Sequence, residues 1–291
     1  MPTKLEKDAL TGTELRDHEW DGIQELDTPL PKWWLYVFWA SVIWSAIYFV
    51  LYPSIPGIDG YFKGVLGWSS RTQIEETLAE ARKGQAKYLD RIRTTSLEDI
   101  RKDRALLDFA IAGGKAAFAQ NCLPCHGPGA VGRKGGYPSL ADDAWLWGGT
   151  LAAIHRTLEV GIRSGVENAR TNTMPTFGGP DGPLKPAQIN DVAEHVLSLT
   201  KRSTDAAAAA RGAKIFADQC AACHGKTGEG NQELGAPTLN DQIWLYGDSK
   251  AAIVAQITKP TLGVMPNWGG RLDAETLKML ALYVHSLGGG K

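Results

Sequence analysis

Residues 33–52, WWLYVFWASVIWSAIYFVLY, form an unbroken run of uncharged, mostly apolar side chains between Lys32 and Pro53. A helix over this run rises about 1.5 Å per residue and spans roughly 30 Å, the hydrocarbon thickness of a bilayer. Trp and Tyr crowd its ends, as in interfacial aromatic belts. The pattern then turns polar. "SSRTQIEETLAEARKGQAKYLDRIR" and "TSLEDIRKDRALLDFAIAGG" predict charged helices opened by capping boxes at Ser70–Gln73 and Ser96–Asp99, a solvated connector or equally a docking face over 53–104. Beyond it, amphipathic spacing appears twice in the same register. Gly114, Phe118 and Cys122 lie at i, i+4 and i+8, and so do Gly212, Phe216 and Cys220. Pro138 and Trp145 match Pro237 and Trp244, and each half closes with an amphipathic helix, "KPAQINDVAEHVLSLTK" or "DAETLKMLALYVHSLGG". These matches predict a duplicated, mainly α unit of roughly 90 residues, over 105–202 and 203–291. Ser203 or Thr204 is placed to cap the first helix of the second copy.

Composition adds little until the cysteines are counted. The 291 residues have room for two ordinary domains, and a net charge of −1 without a basic run gives no sign of nucleic-acid binding. The four cysteines fall in two motifs, "QNCLPCHGPG" (120–129) and "DQCAACHGKT" (218–227). A zinc ribbon would separate its CxxC knuckles by about 15–20 residues and would leave the histidines unexplained. A thioredoxin-like dithiol needs a strand before the motif and a helix starting at it. Covalent haem c uses every residue: Cys122 and Cys125, or Cys220 and Cys223, form thioethers with the vinyl groups. The next residue, His126 or His224, becomes an axial iron ligand.

A sixth ligand is offered in each copy. Met174 in "NTMPTFGG" and Met265 in "GVMPNWGG" share a following Pro and a Gly-Gly, at equivalent points before the closing helix. Sequence order suggests that each serves its own copy, although exchange between copies stays open. Met279 lies inside the last helix as a packing residue. His195 occupies the place of Tyr283 and packs; His155 and His285 have no counterpart in the repeat.

The apolar run follows 32 residues with four basic and eight acidic side chains, and Tyr52–Pro53 is a poor cleavage site. It therefore reads as an uncleaved anchor rather than a signal peptide. Basic residues are equally sparse on both sides, so charge does not orient it. Haem c is attached outside the bacterial cytoplasmic membrane. That places the tail 1–32 inside and 53–291 in the periplasm.

The two repeats resemble class I cytochromes c, in which the proline matching Pro138 and Pro237 presents a carbonyl to the proximal histidine. The start of the chain narrows the resemblance. Trp20, Asp21, Gly22, Ile23, Glu25, Pro29, Leu30, Pro31, Trp33 and Trp34 are similar to the "DGI-E-(N/D)-PLP-WW" signature of the dihaem subunit III of cbb3-type cytochrome c oxidases (CcoP or FixP). The likeness extends over tail, anchor, connector and both motifs. It implies one N-terminal transmembrane helix followed by two tandem class I cytochrome c domains with two covalent haems c. It also implies partners: the haem–copper catalytic subunit, a monohaem cytochrome c subunit, membrane lipid, and a soluble or membrane-bound cytochrome c or quinol–cytochrome c reductase as donor. No catalytic residue for oxygen chemistry is found in the chain. A stand-alone dihaem shuttle, a dehydrogenase subunit and a dihaem peroxidase are the alternatives; the last needs an open distal position that the two methionines deny.

Overall fold

The computed structural model describes residues 6–58 and 60–288, and the chain forms two compact units, 1–84 and 85–291. In the first, β1 (Leu15–Trp20) and β2 (Ile23–Leu26) pair antiparallel around Asp21-Gly22, both at positive φ. The sequence pattern gave no hint of this hairpin, whose residues are nearly all exposed. The apolar helix α1 runs Lys32–Leu51, and none of its side chains is buried. A helix apolar on every side, with no side chain buried among the described residues, suits a lipid surrounding. A two-residue ribbon, β3 (Pro56–Gly57) with β4 (Gly60–Tyr61), follows it. The chain then folds back: Val65 and Leu66 donate their N–H groups to the Val50 and Leu51 carbonyls (2.9 and 3.1 Å), satisfying acceptors that the helix end leaves free.

Helix α2 runs Ser70–Thr94, so Ser70 lies inside it rather than at the cap. Gln73, the expected box partner, instead accepts from the Trp68 indole at 3.0 Å. The second charged stretch is two helices. Ser96 caps α3 (Leu97–Lys102) through the Asp99 N–H, and Asp103 ends it and caps α4 (Arg104–Asn121) through the Leu106 N–H at 3.0 Å.

Two further series complete the second unit. The first comprises α4, the turn α5 (Leu123–His126), α6 (Leu151–Val160) and α7 (Pro186–Leu199). The second comprises α8 (Ala206–Gln219), the turn α9 (Ala221–His224), α10 (Lys250–Thr258) and α11 (Ala274–Ser286). The cap of α8 is Asp205, whose carboxylate accepts from Ala208 N–H at 2.9 Å; Ser203 and Thr204, the expected caps, bind Glu194 instead.

The closing helices are exchanged between the copies. Helix α4 packs on α11, and α8 packs on α7. A Cβ on Gly114 would strike the Met279 carbonyl, and one on Gly212 the Asp191 carbonyl, so both crossings need a residue without a side chain. The reason lies in the short link Thr200–Asp205, which makes α7 and α8 an antiparallel hairpin. With α7 taken by α8, the only matching partner left for α4 is α11. The duplicated motif is thus built into two cores that each draw on both copies.

Candidate functional site

Each CxxCH segment lies against one of these cores. Phe118 and Cys122 are buried with Ile154, Leu158, Leu277 and Leu280. Cys220 packs against Phe216, Phe177, Ile253 and Ile257. The two cysteine pairs therefore belong to separate cores, not to one shared zinc site. Within each motif a single helical turn carries the chain from the first cysteine to the histidine: His126 N–H donates to the Cys122 carbonyl at 2.9 Å, and His224 N–H to the Cys220 carbonyl at 3.0 Å. Burial, with the neighbouring cysteine adding, pushes the Cys122 and Cys220 thiols up to about 11. This is the reverse of an activated redox dithiol, which needs a depressed thiol pKa.

Both histidines are oriented alike. Nδ1 of His126 lies 2.9 Å from the Pro138 carbonyl, and Nδ1 of His224 lies 2.9 Å from that of Pro237. A carbonyl only accepts, so Nδ1 carries the proton and Nε2 keeps a free lone pair for a metal. Burial pulls both imidazole pKa values down, more strongly than the carbonyl contacts raise them, which favours this neutral form.

The methionines sit across the exchange. Met265 packs on the core that holds Cys122, and Met174 on the core that contacts Cys220. Met265 is pinned by an antiparallel bridge in which it exchanges two 2.9 Å backbone hydrogen bonds with Ile162. Met174 makes no such bond among the described residues. Met279 is buried against Gly113 and Gly114, and His195 packs its ring 4.9 Å from that of Phe216. The copies meet through reciprocal contacts at matching positions, Trp147 on Gly235 and Tyr246 on Gly136.

The donor set fits a haem in each core. Beyond the cysteines, histidines and methionines, four buried nitrogens lack an acceptor among the described residues: Trp145 Nε1, Arg170 Nε, Arg202 Nη2 and Trp244 Nε1. Leaving a buried donor unpaired costs about 1–3 kcal/mol, so such atoms mark places where a ligand supplies oxygen. Haem carboxylates are such a ligand.

Comparison with known proteins agrees with the residues. Residues 12–59 match the N-terminal domain of cytochrome oxidase-cbb3, FixP, and residues 109–196 and 207–284 match cytochrome c oxidase, cbb3-type, subunit III. The chain belongs to this family. It is 52% identical to the cbb3-type cytochrome c oxidase subunit CcoP of Azospirillum brasilense, over 98% of this chain and 99% of that one. It is also 49% identical to the FixP subunit of Bradyrhizobium sp. (strain ORS 278) over the full length of both, and 44% identical to CcoP of Cereibacter sphaeroides over 94% of each. The subunit III chain is thus mainly helical, with tandem cytochrome c domains of a haem c-binding family behind one helix long and apolar enough to anchor it.

Three features of this subunit escaped the sequence reading. The exchange of closing helices was signalled only by the shortness of Thr200–Asp205. Arg170 and Arg202 occupy non-equivalent places in the two copies, so the repeat alignment could not find them. Glu194, fully buried, was also invisible within an ordinary amphipathic pattern.

Proposed function

We propose that this oxidase subunit carries two covalently attached haems c and passes electrons singly towards the haem–copper core of its complex. The carrying observation is the pairing of each CxxCH segment with a methionine on one apolar core. Cys122 and Cys125 would hold the first haem, with His126 and Met265 as the residues that would ligate its iron. Cys220 and Cys223 would hold the second, with His224 and Met174. Each contiguous half, 105–202 and 203–291, then supplies an attachment segment to one site and a methionine to the other. A bound haem provides a one-electron iron couple, whose potential thioether ligation raises. The protein does the rest: the Pro138 and Pro237 carbonyls aim the imidazoles, and the apolar side chains keep water from the iron.

Helix α1 anchors the subunit in the bacterial cytoplasmic membrane by a single pass, with the acidic tail inside and both haem sites in the periplasm. The donor is a soluble or membrane-bound cytochrome c or a quinol–cytochrome c reductase. The receiving partners are the monohaem cytochrome c subunit and the haem–copper subunit.

The ligand assignment is tested in a full-length chain carrying Cys122→Ser and Cys125→Ser, which retains only the second haem. There Met174→His should lower the reduction potential while keeping the iron low-spin, and Met265→His should leave it unchanged. A potential that follows Met265 instead would refute the crossed assignment. Co-purification of the intact chain with haem b and copper in mild detergent tests its place in the oxidase. Isolation as a stable lone chain that still relays electrons would favour the stand-alone shuttle.

A further inference from the structure

The two sites differ in charge where the repeat would make them equal. Arg202 is held by the Thr200 hydroxyl at 3.0 Å and by the Asp248 carboxylate at 2.8 Å, and its guanidinium lies 5.5 Å over the Trp244 ring. Its remaining Nη2 is the unpaired one. The Arg170 guanidinium lies 5.0 Å over the Trp147 ring and donates Nη2 to the Ala153 carbonyl of α6 at 3.2 Å, with Nε unpaired. It makes no ion pair among the described residues, and the position matching Asp248 is Gly149. Burial, then the neighbouring Arg156, pulls the Arg170 pKa down, as expected of a cation held without a counter-charge. The loops after the histidines reinforce the difference. Residues 127–145 carry Arg133 and Lys134 against Asp142 and Asp143, whereas residues 225–244 carry Lys226 against Glu229, Glu233 and Asp241. Cys122 is buried and Cys220 only half-buried.

We propose that Trp145 with Arg170, and Trp244 with the Arg202–Asp248 pair, grip the haem carboxylates of the first and second sites, and that the iron on His126 therefore has the higher reduction potential. This rests on the two-haem reading above. An unneutralised cation disfavours the extra positive charge of the ferric state. Asp248 cancels the corresponding cation in the second site. With both haems bound, one electron would pass downhill within the chain from the site of His224 to the site of His126, oxidising the first iron and reducing the second. The second site then faces the donor, and the first faces the oxidase core.

The test is an anaerobic redox titration of the full-length holoprotein in detergent, followed by c-haem absorbance and by the two low-spin ferric EPR signals. Arg170→Gln should lower the upper wave by about tenfold in the reduction equilibrium, about 59 mV for one electron. Arg170→Lys, which keeps the charge, should restore most of it. Asp248→Asn should raise the lower wave and narrow the gap. An Arg170→Gln shift confined to the lower wave, an Asp248→Asn shift confined to the upper one, or no movement in either variant would overturn the proposal. Haem quantitation separates this from failure of the underlying reading: fewer than two haems c per chain defeats the two-haem assignment itself.

Discussion

The two cores that hold the CxxCH segments come from one duplicated motif, yet they are fastened differently. Their attachment turns, His–Pro hydrogen bonds and Trp positions superimpose by sequence and by distance. Away from the motif they part. In the core of Cys220, Glu194 of α7 is fully buried and accepts from the Ser203 hydroxyl, from Thr204 N–H at 3.1 Å and from the Lys250 ammonium at 2.9 Å. It ties α7, the link to α8 and α10 together. Its counterpart in α11 is Leu282, which packs with Ile92 and Ile100 of the connector and with Leu106 of α4. There α11 is fastened through the connector: Lys278 donates to the Ile92, Arg93 and Thr95 carbonyls at the end of α2, and Glu275 pairs with Arg93. The difference teaches that duplication preserved the CxxCH turns with their His–Pro contacts and left each copy to find its own means of closing the fold.

The comparison is broken most severely at Glu194. Glu194→Leu copies the other core but strips the partner from Lys250 and from the link's donors, and should cost about 3 kcal/mol. Thermal unfolding followed by circular dichroism reads the loss; a change under about 1 kcal/mol would show the clasp to be dispensable. The same carboxylate gives a pH signature. The Ser203 and Lys250 contacts hold its pKa down from an ordinary 4.5 to about 2. A depressed carboxylate contributes its full stability above the unfolded value and loses it as pH falls through the folded one. Wild-type stability should therefore drop between about pH 4.5 and pH 2, and Glu194→Leu should flatten that limb of the curve.

A second, nearly equal effect tests the symmetry of the exchange. Gly114→Ala and Gly212→Ala each drive a methyl group into a facing backbone carbonyl, and each should cost about 2–3 kcal/mol. A large loss in one and none in the other would show that the two helix crossings are not equivalent.

The smallest expected effect sharpens the contrast between the ligand loops. Met265 exchanges two backbone hydrogen bonds with Ile162, whereas Met174 makes none among the described residues. At about 1 kcal/mol per bond, opening the Met174 loop should be roughly tenfold easier or more. Added imidazole should then displace the far-red Met–iron band of the second site at about tenfold lower concentration. Equal midpoints for both bands would show that the bridge does not govern ligand lability.

The readability of this chain varied with how local the physics was. The anchor was legible because a bilayer demands an uncharged run of fixed length, and residues 33–52 supply it. The attachment turns were legible because thioether chemistry needs two cysteines and a histidine on one helical turn. The caps were read less well: Ser96 caps as expected, but Asp205 displaced Ser203 and Thr204 because Glu194, far along the preceding helix, captured them. The hairpin β1–β2 carried no alternating pattern, since it has no buried face to impose one.

By itself the sequence determined the two CxxCH turns, the duplication, the two candidate methionines and the long apolar helix, because each depends on residues close together in the chain. Which methionine lies against which attachment turn was settled only by tertiary structure. That choice depends on the short Thr200–Asp205 link forcing α7 onto α8, while Gly114 and Gly212 each admit the backbone of the closing helix that faces them. Two interfaces of matching shape leave the local sequence indifferent between partners, so chain connectivity and global packing decided the pairing.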